Sequence, residues 1–211
     1  ASITKVMTTL LAIEAIDRGE LSLDQVITVG DEVSRDVGDG SSTQDIKPGE
    51  QLTLQDVLYC ALIASANEAC NVLAQVVSGS VDSFVELMNQ RAKELGMEDT
   101  HFVNTHGYHD PDHYTTAYDI SLMCMEAMKH ETFRTIVTSK SYTVPATNMH
   151  EARELHEKLK ALGADVALIT PESSSFHNGA TVLSIQMSKG LEFDQVLIPQ
   201  ADGENYHTDF D

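Results

Sequence analysis

Hydrophobic positions set out the first 150 residues as a series of helices. In TKVMTTLLAIEAIDRGE, residues 4–20, Val6, Met7, Leu10, Leu11, Ile13 and Ile16 recur at helical spacing, and Gly19 ends the run. QVITV, residues 25–29, reads as a short strand. The polar stretch SRDVGDGSSTQDIKPGEQ, residues 34–51, is rich in Gly, Ser and Asp and predicts a loop. Thr53 is placed to cap LQDVLYCALIAS, and a further helix is expected from Asn67 to Val77. Ser80 is placed to cap VDSFVELMNQRAKELG, with Gly96 as its stop. MEDTHFVNTHGYHDPDHYTT is polar and predicts loop, AYDISLMCMEAMKH predicts helix, and SYTVPATN predicts an extended segment.

The pattern changes near residue 150. HEARELHEKLKALG, residues 150–163, has the spacing of a charged amphipathic helix, and DVALIT, TVLSIQM and FDQVLIP have that of short apolar strands. Strands alternating with helix predict a parallel α/β unit. Two domains are therefore expected, residues 1–150 and 151–211, with the boundary between 148 and 158.

Charge removes several functions from consideration. The chain of 211 residues carries 33 acidic and 13 basic side chains, a net charge of −20. Both parts share the excess, so neither offers the basic surface that neutralises phosphates, and no nucleic-acid partner is expected. No apolar run is long enough to span a membrane. Cys60, Cys70 and Cys124 lie in apolar helical stretches and read as small buried hydrophobes. The chain opens on Ala1-Ser2 without Met, as expected of a processed protein or a fragment.

Two short constellations carry chemistry. Ser2 and Lys5 stand three residues apart at a helix start, so their side chains share a face. A serine hydroxyl is a weak nucleophile until a neighbour takes its proton, and a lysine in a suitable environment does that. The helix N-terminus adds partial positive charge that favours a developing oxyanion. Ser65 and Asn67, in ASANEA, form an S-x-N element, which by itself also reads as an ordinary cap between two helices.

Taken with their surroundings, these elements resemble a known family. The stretches ASITKVMTTLLAIE, IKPGEQLTLQDVLYCALIASANEACNVLA, FVELMNQRAKELGMEDTHFVNTHGYHD and HYTTAYDISLM are similar to the D-alanyl-D-alanine carboxypeptidases, the low-molecular-mass penicillin-binding proteins. The resemblance implies Ser2 as the acylated nucleophile, Lys5 as its base, and Ser65 and Asn67 as the second motif. It implies cleavage of the terminal D-alanine from peptidoglycan stem peptides, acylation by β-lactams, an extracytoplasmic site of action and no cofactor. Two features depart from the family pattern. Glu68 follows the S-x-N where Asp is usual, and no K-T-G or K-S-G, the third motif, occurs in the sequence.

Ser188-Lys189-Gly190 does not supply that third motif. Its lysine is displaced by one position, and one position on a strand turns a side chain to the opposite face. ATVLSIQMSKGLEFDQVLIP instead resembles motif V of UvrD/Rep-type DNA helicases, which implies Lys189, Gly190 and Glu192 as motif residues with Glu192 near the nucleotide. No phosphate loop of the G-x-x-x-x-G-K-[ST] type accompanies it. The chain thus reads as two incomplete pieces joined within HEARELHE, residues 150–157, as in a gene-level fusion or an assembly artefact.

The expected fold is of the α/β (α+β) class. It is a mostly helical lobe of the serine β-lactamase/transpeptidase-like fold, followed by a small α/β segment of a P-loop helicase-like domain. The resemblance implies a sheet packed on the helical lobe, with strands from before Ser2 and after the third motif, so an exposed apolar face is expected. His101, His106, His109 and His113 crowd one loop beside Asp110 and Asp112, but the family resemblance assigns such residues to shaping the loop, and no metal site is expected. Asp36, Asp39 and Asp45 lack the spacing of a calcium loop and read as a solvated face.

Overall fold

A computed structural model describes residues 1–38 and 40–156, together with the short strand pair at 167–168 and 181–182. Helix α1, Thr4–Asp17, runs through the middle of the lobe. Every residue from Thr4 to Ile13 is buried, including three threonines and Lys5, so it is enclosed all round rather than amphipathic. Strands β1, Val26–Thr28, and β2, Gln51–Thr53, pair antiparallel with Ile27 opposite Leu52.

Helix α2, Leu54–Leu62, starts at the expected cap. Thr53 accepts from the Asp56 N–H while the Asp56 carboxylate accepts from the Thr53 N–H, a reciprocal capping box. Helix α3 follows as Asn67–Ser78 and α4 as Val81–Glu94, the latter capped by Ser80 as expected. The helix expected over 117–130 is α5, Ala117–Ala127, and a further helix that the pattern did not predict, α6, Glu131–Val137, follows it. Strand β3 is Ser141–Val144. Cys60 and Cys70 are buried and Cys124 partly so, and burial pushes all three thiols up to about 12.

The helix expected from residue 150 is corrected at its start. Arg153–His156 is strand β4, antiparallel to β3, with Leu155 opposite Tyr142 and Arg153 opposite Val144. Leu155 lies in the hydrophobic core of the lobe. Tyr142 stacks on Tyr59 with ring centroids 3.7 Å apart and donates to the Asp56 carboxylate at 2.8 Å. Arg153 Nη2 donates to Glu50 at 2.7 Å, and Glu50 is fully buried, also accepting from Thr147 Oγ1 at 2.9 Å. Tertiary pairing and a buried ion pair thus override the local helical pattern, and the packing of the lobe continues past residue 150.

Strands β5, Ala167–Leu168, and β6, Thr181–Val182, pair in parallel, within the expected strands DVALIT and TVLSIQM. Lys189, Gly190 and Glu192 lie outside the described residues. The expected open apolar face is not found among the described residues. Their exposed large apolar side chains are Val26, Tyr108, Tyr114, Tyr118, Met125 and Met149, and none belongs to α1, α2 or α3.

Candidate active site

Ser2 sits in the turn that leads into α1, and the Lys5 N–H closes that turn on the Ser2 carbonyl at 3.1 Å. One turn of helix brings Lys5 under it, and Lys5 Nζ donates to Ser2 Oγ at 3.1 Å. Lys5 Nζ also donates to the His106 carbonyl at 3.1 Å. Lys5 is 1% exposed, the largest fully buried side chain among the described residues. From the other side, Ser65 Oγ donates to Ser2 Oγ at 3.1 Å. Two motifs more than sixty residues apart therefore converge on one hydroxyl.

Ser65 is no helix cap. It occupies the left-handed region at φ +56, between the end of α2 and the start of α3, and Ala66 takes the cap position. A non-glycine residue in that conformation is strained and persists only where its surroundings enforce it. Asn67, the first residue of α3, is 6% exposed, and its N–H donates to the Ser42 carbonyl at 2.9 Å.

The loop after α4 completes the surroundings. Gly107 has φ +83, and a Cβ there would stand 1.9 Å from the Ala1 carbonyl oxygen and 2.8 Å from Thr4 Oγ1, so only glycine lets this loop pass against the start of α1. His106 is buried; it accepts from the Tyr108 N–H at 3.2 Å through Nδ1, while Nε2 has no hydrogen-bond partner among the described residues. Desolvation, and after it the charge of Lys5, pushes His106 down to about 4. His113 accepts from the Val103 N–H at 3.2 Å through Nδ1, so Nε2 carries the proton and donates to Thr4 Oγ1 at 2.7 Å. Desolvation, with the nearby N-terminal charge second, takes His113 down to about 4 as well. Both rings are neutral at pH 7; His106 accepts from a backbone N–H, and His113 links a backbone N–H to the Thr4 hydroxyl.

The sequence identified Ser2, Lys5, Ser65 and Asn67, and the structure brings the hydroxyl and amine groups of the first three together. It did not single out the His106 carbonyl, the Thr4–His113 contact or Gly107. Of these, Gly107 left a signal, a lone glycine inside a polar loop. Among the described residues, Glu14, Glu126 and His130 have ligand-type atoms within 4.8 Å of one another. Arg91 already donates to Glu14 at 2.7 Å and to Glu126 at 3.5 Å, which pairs both carboxylates with a cation.

Residues 1–164 match the peptidase S11 family, described as D-alanyl-D-alanine carboxypeptidase. The D-alanyl-D-alanine carboxypeptidase DacF of Bacillus subtilis is 38% identical over 131 residues, covering 62% of this chain and 33% of its own length. Among solved structures, penicillin binding protein 6B of Escherichia coli is similar with a TM-score of 0.64 and 33% identity, over 70% of this chain and 48% of that one. Penicillin-binding protein D2 of Listeria monocytogenes, solved in its cefotaxime-bound form, is similar with a TM-score of 0.63 and 25% identity, over 78% of this chain and 64% of that one. The chain spans about a third of the length of DacF. The family match spans residues 1–164 and so includes Ser2, Lys5 and Ser65: the chain belongs to the D-alanyl-D-alanine carboxypeptidase family, peptidase S11.

Proposed function

We propose that Ser2 is the nucleophile of a serine D-Ala-D-Ala carboxypeptidase and that this chain carries the helical half of its active site. The observation that supports this is the convergence of Lys5 Nζ and Ser65 Oγ on Ser2 Oγ, each at 3.1 Å. The substrate would be a peptidoglycan stem peptide ending in D-Ala-D-Ala. In the first step Ser2 Oγ attacks the carbonyl carbon of the penultimate D-alanine, and its proton passes to Lys5 in the neutral amine form. The C–N bond then breaks, and Ser65 relays a proton to the departing amine of the terminal D-alanine. Water hydrolyses the resulting ester with Lys5 again as base. The Asn67 amide would hold the peptide backbone of the substrate. β-Lactams would acylate the same oxygen and stay as the ester, a reading consistent with the cefotaxime-bound relative.

No cofactor enters this scheme. Its substrate places the reaction outside the cytoplasmic membrane. The family's K-T-G or K-S-G lysine, which attracts the substrate carboxylate, is not among these 211 residues, and slow turnover is the expected behaviour of these residues on their own. The test is release of D-alanine from a synthetic peptide ending in D-Ala-D-Ala. Slow release that disappears in Ser2→Ala is expected, and release that survives Ser2→Ala would overturn the assignment.

A second reading applies to the part of residues 151–211 that lies beyond residue 156, as a helicase-like segment with Lys189, Gly190 and Glu192 as nucleotide contacts. It is supported by the hexamer K-G-L-E-F-D and by the parallel pairing of β5 with β6. In this reading the lobe and the segment meet beyond residue 156. Binding of ATP that Lys189→Ala removes would support it, and absence of binding would remove it.

A further inference from the structure

The chain that follows Ser65 into α3 is tied to a neighbouring loop. The Asn67 N–H donates to the Ser42 carbonyl at 2.9 Å. The next residue, Glu68, is 3% exposed, and its Oε1 accepts from Thr43 Oγ1 at 2.6 Å and from the Gln44 N–H at 2.5 Å. Three consecutive residues, Ser42 to Gln44, are thus fastened to two consecutive residues in the first turn of α3. The far side of the segment is fastened too, because Arg153 Nη1 donates to the Gln44 carbonyl at 2.6 Å. Glu68 Oε2 is buried and has no hydrogen-bond partner among the described residues, so the side chain acts through Oε1 alone.

We propose that Glu68 is a positioning residue for Ser65 and Asn67. Through Oε1 it presses Ser42–Gln44 onto the start of α3, and that contact fixes where the Ser65 hydroxyl stands relative to Ser2. The inference rests on the reading of Ser2 as the acylated nucleophile. Reach is the feature that matters. An aspartate at this position ends roughly one C–C bond, about 1.5 Å, short of Thr43 and Gln44. A glutamine keeps both the length and an acceptor oxygen for the same two donors.

The experiment compares the parent chain with Glu68→Gln and Glu68→Asp, all shown by circular dichroism to be folded at the assay temperature. Acylation by a fluorescent penicillin is expected to stay within about threefold of the parent in Glu68→Gln and to fall about tenfold in Glu68→Asp. Equal rates in all three folded proteins would mean that Glu68 contributes only stability, and a loss in Glu68→Gln that equals or exceeds the loss in Glu68→Asp would mean that the charge matters at least as much as reach; either result overturns the proposal. Amide hydrogen exchange gives a readout that needs no acylation. The Asn67 N–H is expected to exchange about tenfold faster in Glu68→Asp, near the parent rate in Glu68→Gln, with α4 unchanged in both. If the parent is not acylated by penicillin, the catalytic reading fails by itself, and unchanged Asn67 exchange in Glu68→Asp would then overturn the positioning role separately.

Discussion

The Ser65 hydroxyl donates to the Ser2 hydroxyl at 3.1 Å across 63 residues of sequence. Lys5 meets the same oxygen from one helical turn away. Ser2 Oγ therefore has an amine on one side and a second hydroxyl on the other, and both partners are buried. Such a pair supplies one group to accept a proton and another to pass it on.

Replacing Lys5 by Met keeps its unbranched bulk in the core and removes the amine. The Ser2 hydroxyl and the His106 carbonyl then lose a donor. Acylation by a fluorescent penicillin is expected to fall by about 10²–10⁴-fold, the usual contribution of a general base. Parental acylation by Lys5→Met would remove Lys5 from the mechanism.

Gly107→Ala would place a methyl group 1.9 Å from the Ala1 carbonyl oxygen at a φ of +83. The strain alone costs about 1–2 kcal/mol, and the clash adds to it. Urea denaturation is expected to show a stability loss of about 2 kcal/mol or more, with penicillin acylation lost in parallel because the start of α1 must move.

The two depressed histidines give the lobe a stability that depends on pH. Both His106 and His113 are lowered from 6.5 to about 4, so the unfolded chain binds more protons than the folded one between those values. Their contribution is present in full above pH 6.5 and is lost as pH falls toward 4. Together they account for roughly 3–5 kcal/mol at neutral pH, once solvent screening around the partly exposed His113 is allowed for. A melting temperature that drops steadily over that range is expected, with both imidazoles titrating near 4 by NMR. Titration of either ring near 6.5 would contradict the burial argument.

Arg153→Ala would leave the buried Glu50 carboxylate without its arginine, with His150 Nδ1 at 3.1 Å, Thr147 Oγ1 and the Lys47 N–H as remaining partners. Removing one member of a buried pair is expected to cost about 3 kcal/mol. The loss, read by denaturant titration, checks that residues beyond 150 belong to the first lobe. No loss would return Arg153 to the second segment.

Much of this arrangement is legible in the sequence, for a physical reason. The spacing of Ser2 and Lys5, the caps at Thr53 and Ser80, and the S-x-N element are local, and at these positions the fold keeps the local pattern. Residues 153–156 mislead because HEARELHEKLKALG repeats its apolar positions at helical spacing, while β3 offers Tyr142 and Val144 as partners that periodicity does not reveal. Glu50 is hidden in a polar loop because His150 and Arg153, which make a buried carboxylate tolerable, lie 100 and 103 residues away. Helix α6 escapes because its seven residues, ETFRTIV, include β-branched ones that also suit a strand. Glu68 is visible as a departure from the family's usual residue, but its role depends on Thr43 and Gln44, which only the fold brings within reach.

The most direct test of the central claim is intact-mass analysis after incubation with a penicillin, beside a Ser2→Ala control. The expected result is one covalent adduct on the parent and none on Ser2→Ala, which means that Ser2, Lys5 and Ser65 assemble into a working nucleophile. An unmodified parent shown to be folded, or an adduct that persists in Ser2→Ala, would contradict the account.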